Sequence, residues 1–217
     1  MQLKDVIYKR QSVRKYTEQD VSQEDLEKIL DSARVAPSGT NVQNWHFVIT
    51  RNQGLKEKIA QAILDKNEQI ALKMDKKDEK KGQRFRKFVK NFTLFFLDAP
   101  VLIAVYATFY PPSGYHELIF AEYPQEEIDK LHIRNPGMQN IGAAVENMTL
   151  TAIDLGYGSC WMTGQNYAAD EIEEVFKKEA GFEKEGYFLA CMLAIGVPQE
   201  GIKSPEKRKL NEICTYV

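Results

Sequence analysis

The chain holds three cysteines, Cys160, Cys191 and Cys214, too few and too scattered for a disulfide framework. No CxxC pair occurs, so neither a zinc ribbon nor a thioredoxin-like site is indicated. The odd number suits a reducing compartment. The three histidines, His46, His116 and His132, do not pair at metal-ligand spacing. There is no HExxH, GxSxG or P-loop. Gly156-Tyr157-Gly158 could open a dinucleotide fingerprint, but position 161 is Trp where the third glycine belongs. The element before it also reads as a helix and not a strand, which argues against a Rossmann site. No apolar run approaches the roughly 18 residues of a membrane span. The opening MQLKDVIYKR lacks the apolar core of a signal peptide. A formal net charge of −2 gives no global basic field for nucleic acid. The expectation is a cytoplasmic protein with neither nucleic acid nor membrane as partner.

What is present is an ordinary globular composition, with 43% apolar and 28% charged residues. A chain of 217 residues is expected to form a single domain over 1–217. Leu3, Val6 and Ile7 predict a short helix over 2–9, followed by a loop. Ser22 and the acidic residues after it predict a cap, and Leu26, Ile29, Leu30 and Ala33 a helix over 23–35. Trp45 to Thr50 reads as a strand and 54–64 as a helix. Residues 99–107 and 187–195 are continuous apolar runs suited to buried strands. A helix is expected over 138–155, stopped by Gly156, and another over 171–180 capped by Asp170. A short helix is possible at 125–131 within a Pro-rich loop, and a last strand after Gly196. Between residues 65 and 97 a charge-dense stretch precedes an aromatic stripe from Phe85 to Phe96. It reads either as a solvated helix and a docked helix, or as a mobile lid over a substrate pocket. His46 reads as a structural histidine; His116-Glu117 reads as a loop pair without a role or as a lid contact.

Two stretches carry chemistry. Arg10-Gln11-Ser12-Val13-Arg14 packs two guanidiniums around a hydroxyl, which suits a phosphate monoester. Pro37-Ser38-Gly39-Thr40-Asn41-Val42-Gln43-Asn44-Trp45 sets turn residues and carboxamides before a strand. Carboxamides carry donor and acceptor on one group and can read a ring edge that has both. A phosphate grip with an amide reader suggests a nucleotide-like cofactor, and FMN fits. Each stretch alone could be an unremarkable surface or turn.

Together, in this order, the two stretches resemble the N-terminal signature of the FMN-dependent nitroreductase family. The resemblance continues through Gln139-Asn140-Ile141-Gly142-Ala143-Ala144-Val145-Glu146-Asn147-Met148 and Leu155-Gly156-Tyr157-Gly158-Ser159-Cys160-Trp161-Met162-Thr163-Gly164. It closes on Lys207-Arg208-Lys209-Leu210-Asn211-Glu212-Ile213. Residues 66–97 and 110–135 match nothing in it and are where family members are expected to differ, with 65–135 as a variable lid or insert.

The resemblance implies an α+β fold, a small mixed or antiparallel sheet wrapped by helices, in an intertwined homodimer with FMN at the interface. It places Arg10, Ser12 and Arg14 on the phosphate and the N1–O2 side of the ring, with Gln11 between them. Pro37, Ser38, Gly39 and Asn41 would reach FMN from the partner subunit; Gln43 and Trp45 match the motif but could be structural. Trp161, Met162, Thr163 and Gly164 would cover one ring face, with a backbone N–H of Thr163 or Gly164 toward N5. Asn140 is a weaker candidate for a ring contact. Lys207 or Arg208 would complete the phosphate site, the register leaving both open. Two departures stand out: Asn44 replaces a proline, which would loosen the turn, and Lys209 also replaces a frequent proline.

The implied activity is ping-pong hydride transfer from NADH or NADPH through flavin N5 to a small acceptor such as a nitroaromatic or quinone, with no catalytic side chain required. The alternatives are reductive dehalogenation or flavin fragmentation on the same fold, and a non-catalytic FMN-binding or storage module.

Overall fold

In the computed structural model, which describes residues 1–201 and 204–217, four strands form one antiparallel sheet. In chain order they are β1 (Trp45–Thr50), β2 (Val101–Thr108), β3 (Gly158–Met162) and β4 (Tyr187–Gly196), and they lie in the order β1-β2-β4-β3. The central pair β2 and β4 is buried on both faces, which explains why their sequences run apolar without alternation. Successive side chains still point to opposite faces. Ile103, Val105 and Leu193 face α2 (Gln23–Arg34) and α7 (Pro136–Asp154), packing with Ile29, Ile141 and Met148. Leu102, Ala104 and Met192 face α3 (Gln53–Asp75) and α8 (Ala169–Ala180), packing with Ile59, Ile63, Ile172 and Phe176.

The helices around this sheet follow local signals in most places. Ser22 caps α2, its Oγ accepting the Asp25 N–H at 3.1 Å. Asn135 caps α7, accepting from the Met138 N–H at 3.2 Å, with Pro136 at the first turn. The remaining helices are α1 (Leu3–Lys9), α4 (Glu79–Phe92), α5 (Tyr115–Phe120) and α6 (Gln125–Arg134).

Several expectations need correction. The helix expected over 54–64 continues to Asp75, because Ile59, Ala60, Ile63, Asn67 and Ala71 hold one buried face past the apolar stretch. Arg86 of α4 ties that extension down, bridging Glu68 at 2.6 and 2.9 Å and Asp75 at 3.2 and 2.8 Å. Close approach of α4 here requires Gly82, where a Cβ would lie 1.8 Å from the Asp75 carboxylate. Asp170 does not cap α8; Ala168 holds that position without a side-chain bond, and Asp170 sits in the first turn. His116 and Glu117 lie on α5, not in a loop. After Gly196 the described residues form an isolated antiparallel bridge, Tyr16 with Pro198, and a 3-10 turn over Leu210–Glu212 in place of a last strand.

Candidate functional site

Residues 10–14 form a strap laid on the edge strand β3. The Val13 N–H donates to the Ser159 carbonyl at 2.9 Å, and Ser12 and Ser159 form a parallel bridge. Val13 and Tyr16 anchor the strap in the core, and the Tyr16 hydroxyl donates back to the Val13 carbonyl at 2.7 Å. Gly158 permits this contact, since a Cβ there would lie 2.6 Å from Val13 Cγ2. An extended strap alternates its side chains. Arg14 lies over the Phe95 ring at 5.6 Å and lines a cavity of ≈ 270 Å3. Gln11 instead lines a separate crevice beside Gly156 and Tyr157. Arg10 approaches Glu146 of α7 at 3.8 Å.

Three polar residues of the strap act on the Cys160 thiol beneath it. Burial pushes the Cys160 thiol up, opposed by the Arg14 charge, by hydrogen bonding with Ser12 and by the Arg10 charge. Burial prevails, so the thiol stays protonated at neutral pH and is no nucleophile. Two guanidiniums and a hydroxyl of the strap therefore act on one neutral, buried group.

The cavity's other wall is the end of β3. Trp161 is 40% exposed, and its indole lies close to α7, where a Cβ at Gly142 would be 3.5 Å from its Cη2. It also hydrogen-bonds with Cys191, whose thiol burial pushes up to about 12. Met162 is buried, while Thr163 and Gly164 are exposed where the strand ladder ends. Gln165 pins that end, donating to the Met162 carbonyl at 3.0 Å and to Asn166 at 3.2 Å. Asn166 donates in turn to the Ala190 carbonyl at 2.7 Å. Arg14, Trp161, Met162, Thr163 and Gly164 thus meet around one cavity.

Residues 37–41 are held elsewhere, at the N-terminal part of α7. The Gly39 N–H donates to Asn140 Oδ1 at 3.1 Å, and the Asn140 amide donates to Asn44 Oδ1 at 2.9 Å. Asn140 is buried, and both ends of its amide serve this chain of bonds. Asn44 does not loosen the turn. It is 1% exposed and donates to the Thr108 and Gly137 carbonyls at 3.0 and 3.4 Å, joining β2, α7 and the loop. Thr40, Asn41 and Gln43 all adopt positive φ, at 51°, 56° and 48°. Left-handed backbone at residues other than glycine is costly and persists only when over-determined. Here Ser38 supplies much of that constraint, accepting the Asn41 N–H at its carbonyl and the Gln43 N–H at its hydroxyl. Arg10 meets α7 at Glu146, six residues beyond Asn140, which is about 9 Å along a helix.

Lys207 and Arg208 stand on the surface with the rest of residues 204–217, all exposed. Leu210, Ile213 and Tyr216 are exposed there too. The structure does not bring this basic pair to the strap within one protomer. Sequence reading missed Phe88, Phe92 and Thr93, which line the same cavity from α4 and its end. The signal was the aromatic stripe, but only the position of α3 decides which rings dock and which open onto the cavity.

Comparison with known proteins now bears on this geometry. The sequence profile described as "Nitroreductase family" matches residues 7–197. The chain belongs to the nitroreductase family. Its fold also superposes on a BluB-like flavoprotein from Clostridium difficile 630, with TM-score 0.98 and 59% identity over 100% of this chain and 99% of that one. A nitroreductase with bound FMN from Bacteroides fragilis shares the fold, with TM-score 0.67 and 24% identity over 100% and 99% of the two chains. A protein of Archaeoglobus fulgidus, named provisionally as an NADH dehydrogenase/NAD(P)H nitroreductase, is 26% identical over 90% of this chain and 84% of its own length. The nitroreductase fold thus accounts for the α+β architecture and the antiparallel sheet. Among the described residues no helix is long and apolar enough to cross a membrane.

Proposed function

We propose that this nitroreductase-family protein is an FMN-dependent NAD(P)H oxidoreductase acting on a small acceptor such as a nitroaromatic or quinone, and that it works as a homodimer in the cytoplasm. The observation that carries this reading is Arg14 at the cavity lined by residues 160–164, with Ser12 and Arg10 of the same strap acting on Cys160 in that lining. The donor set fits FMN: a fork of guanidiniums and a hydroxyl for a phosphate, and an exposed strand end beside an indole for a ring. FMN bound there would supply hydride storage and delivery. The chain's own contribution is to bind and orient. Arg14 holds negative charge, the strap fixes its distance from β3, and Trp161 limits water on one side. No acid–base side chain is needed, and Cys160 stays neutral behind the arginines.

The cavity in one protomer, ≈ 270 Å3, falls just below the roughly 300–1,000 Å3 of small-molecule sites. A second subunit would complete it. Leu3, Ile7 and Tyr8 of α1, with Leu210, Ile213 and Tyr216 of the tail, are exposed apolar side chains that such a partner would cover. In this reading the strained loop 37–41 and Lys207 or Arg208 act on the partner's FMN. Residues 1–217 serve as one domain, with 65–135 as its variable part.

A second reading, reductive dehalogenation or flavin fragmentation, is favoured by the 59% likeness to a flavoprotein named BluB-like rather than nitroreductase. A third, flavin storage without turnover, is separated from both by steady-state NAD(P)H oxidation. The deciding experiment starts from the visible spectrum of the purified protein. Heat-released cofactor is then identified by chromatography, and the holoprotein is bleached anaerobically with NADH and with NADPH. FMN recovered intact after repeated turnover on a nitroaromatic or quinone, with no halide released from a haloaromatic, supports the first reading. FMN degraded during turnover, or halide released from a haloaromatic, supports one or the other form of the second, and FAD or no flavin after reconstitution contradicts all three.

A further inference from the structure

A second cavity, of ≈ 710 Å3, lies between α8 and residues 182–187, the turn that leads into β4, and Tyr106 of β2 lines it too. It falls within the roughly 300–1,000 Å3 of small-molecule sites. It shares no lining residue with the cavity at the strap. Five carboxylates and two ammoniums line it, so negative charge is in excess. Lys177 is paired with Glu183 at 2.7 Å, and Lys184 lies over the Tyr187 ring at 4.8 Å. Asp170 and Glu185 have no hydrogen bond or ion pair among the described residues. Glu173 commits one oxygen, Oε1, to the Leu189 N–H at 2.6 Å. The decisive residue is Tyr106. It is 4% exposed, yet its hydroxyl has no hydrogen-bond partner among the described residues. The core fixes its ring, which meets Phe176 and Phe182 edge-on at 6.1 and 5.0 Å. Burial first and the Glu173 charge second push the hydroxyl's pKa up, so it stays neutral. A buried hydroxyl without a partner carries a desolvation cost that a ligand would relieve.

We propose that this crevice is a binding site for a linear aliphatic polyamine, one ammonium of which donates to Asp170, Glu173 and the Tyr106 hydroxyl while a second reaches Glu185. An ammonium has three donors and no acceptor, and these groups offer acceptors that the fold leaves unused. Asp170 and Glu173 stand one turn apart on α8, at the spacing that shares a helix face. Glu185 stands on the opposite wall. A metal ion suits the crevice less, because among the described residues no three carboxylates, histidines or cysteines gather closely enough to hold one. Charge spread over two walls calls for charges spread along one ligand. The methylenes between its amines would lie on Phe182 and Tyr187. The Tyr187 face already receives one ammonium, that of Lys184, which shows the chemistry it accepts.

The test is calorimetric titration of the purified protein with spermidine at physiological salt, where diffuse attraction between charges is screened. One saturable site per chain is expected, tighter for spermidine than for butylamine or Mg2+. Glu173→Gln keeps an amide oxygen for the Leu189 N–H and should weaken spermidine binding roughly 10- to 100-fold, the worth of a charge-assisted bond. Tyr106→Phe should weaken it about tenfold or more. Its melting temperature should not fall, because the hydroxyl has no partner to lose in the free protein. Glu18→Gln, at an exposed carboxylate outside the crevice, should change nothing. No saturable binding, or unchanged affinity in Tyr106→Phe, overturns the proposal. So does an equal loss in Glu18→Gln, which would make the attraction diffuse. Butylamine binding as tightly as spermidine overturns it in favour of a contact for a single lysine side chain, and tighter Mg2+ binding overturns it in favour of a metal.

Discussion

Residues 10–14 and residues 204–217 carry the two basic groups proposed for one phosphate, yet the chain holds them in opposite ways. The strap is tied to β3 by backbone hydrogen bonds and by two buried anchors, Val13 and Tyr16. The tail lies exposed throughout, with Leu210, Ile213 and Tyr216 turned to water. One wall is therefore a product of the protomer's own core and the other depends on something that covers it. The first should respond to substitutions through folding and binding together. The second should respond through binding alone.

The comparison breaks most readily at Gly158. Gly158→Val drives its side chain into Val13, and overpacking of this kind costs up to about 3 kcal/mol. Urea unfolding of the apoprotein should show that loss, and FMN titration should show weakened binding as the strap is displaced. The next largest effect separates the two walls. Arg14→Ala should weaken FMN binding about 10- to 100-fold, the worth of a charge-assisted contact. Arg208→Ala should act similarly on FMN while leaving the unfolding midpoint unchanged. Unchanged affinity in Arg208→Ala alone would shift the tail's contact to Lys207, and unchanged affinity in Arg14→Ala would remove the phosphate reading of the strap.

A third variant sharpens the contrast with the loop at 37–41. Asn44→Ala leaves the buried Asn140 amide, the buried Gly137 carbonyl and the part-buried Thr108 carbonyl short of a partner, at about 1–3 kcal/mol. Thermal melts should show this, and Asn140→Ala in the same background should add little, because the two side chains act as one chain of bonds.

The smallest effect belongs to pH and lies away from both walls. His46 stacks on Phe182, and its pKa is lowered by burial first and by Lys184 second. The unfolded chain therefore takes up a proton at His46 before the folded one does. The contribution is complete above the unfolded value of about 6.5 and declines as pH falls below it. His46→Phe keeps the stack and should flatten that decline below about pH 6.5. The pKa values of Glu68 and Glu171 are themselves lowered, by hydrogen bonds from Arg86 and Lys66, so their contributions are lost at lower pH.

What could be read from the residues follows from how each element is stabilised. β2 and β4 were legible because burial on both faces leaves an unbroken apolar run, and α2 because cap and stripe agree. The far half of α3 was hidden because its inward residues are Asn67 and Ala71, one polar and one small, and neither signals a core. The edge strand β3 is five residues long and mixes glycine, serine and cysteine with two large side chains, so its sequence carries little strand character. At the site, the strap could be read as chemistry from its residues, and residues 161–164 only through the family resemblance. The role of Asn44 was not, because its partner Asn140 lies 96 residues away. Nor was the opening of Phe88 and Phe92 onto the cavity, since Phe85 and Phe96 in the same stripe face the core.

The central claim is that one protomer builds half of an FMN site and a second copy completes it. Sedimentation of the dilute holoprotein, followed at the flavin's visible absorbance, tests this directly. The account predicts that the colour travels with a particle of twice the 24.9 kDa chain. Flavin absorbance travelling at the rate of a stable monomer would contradict it.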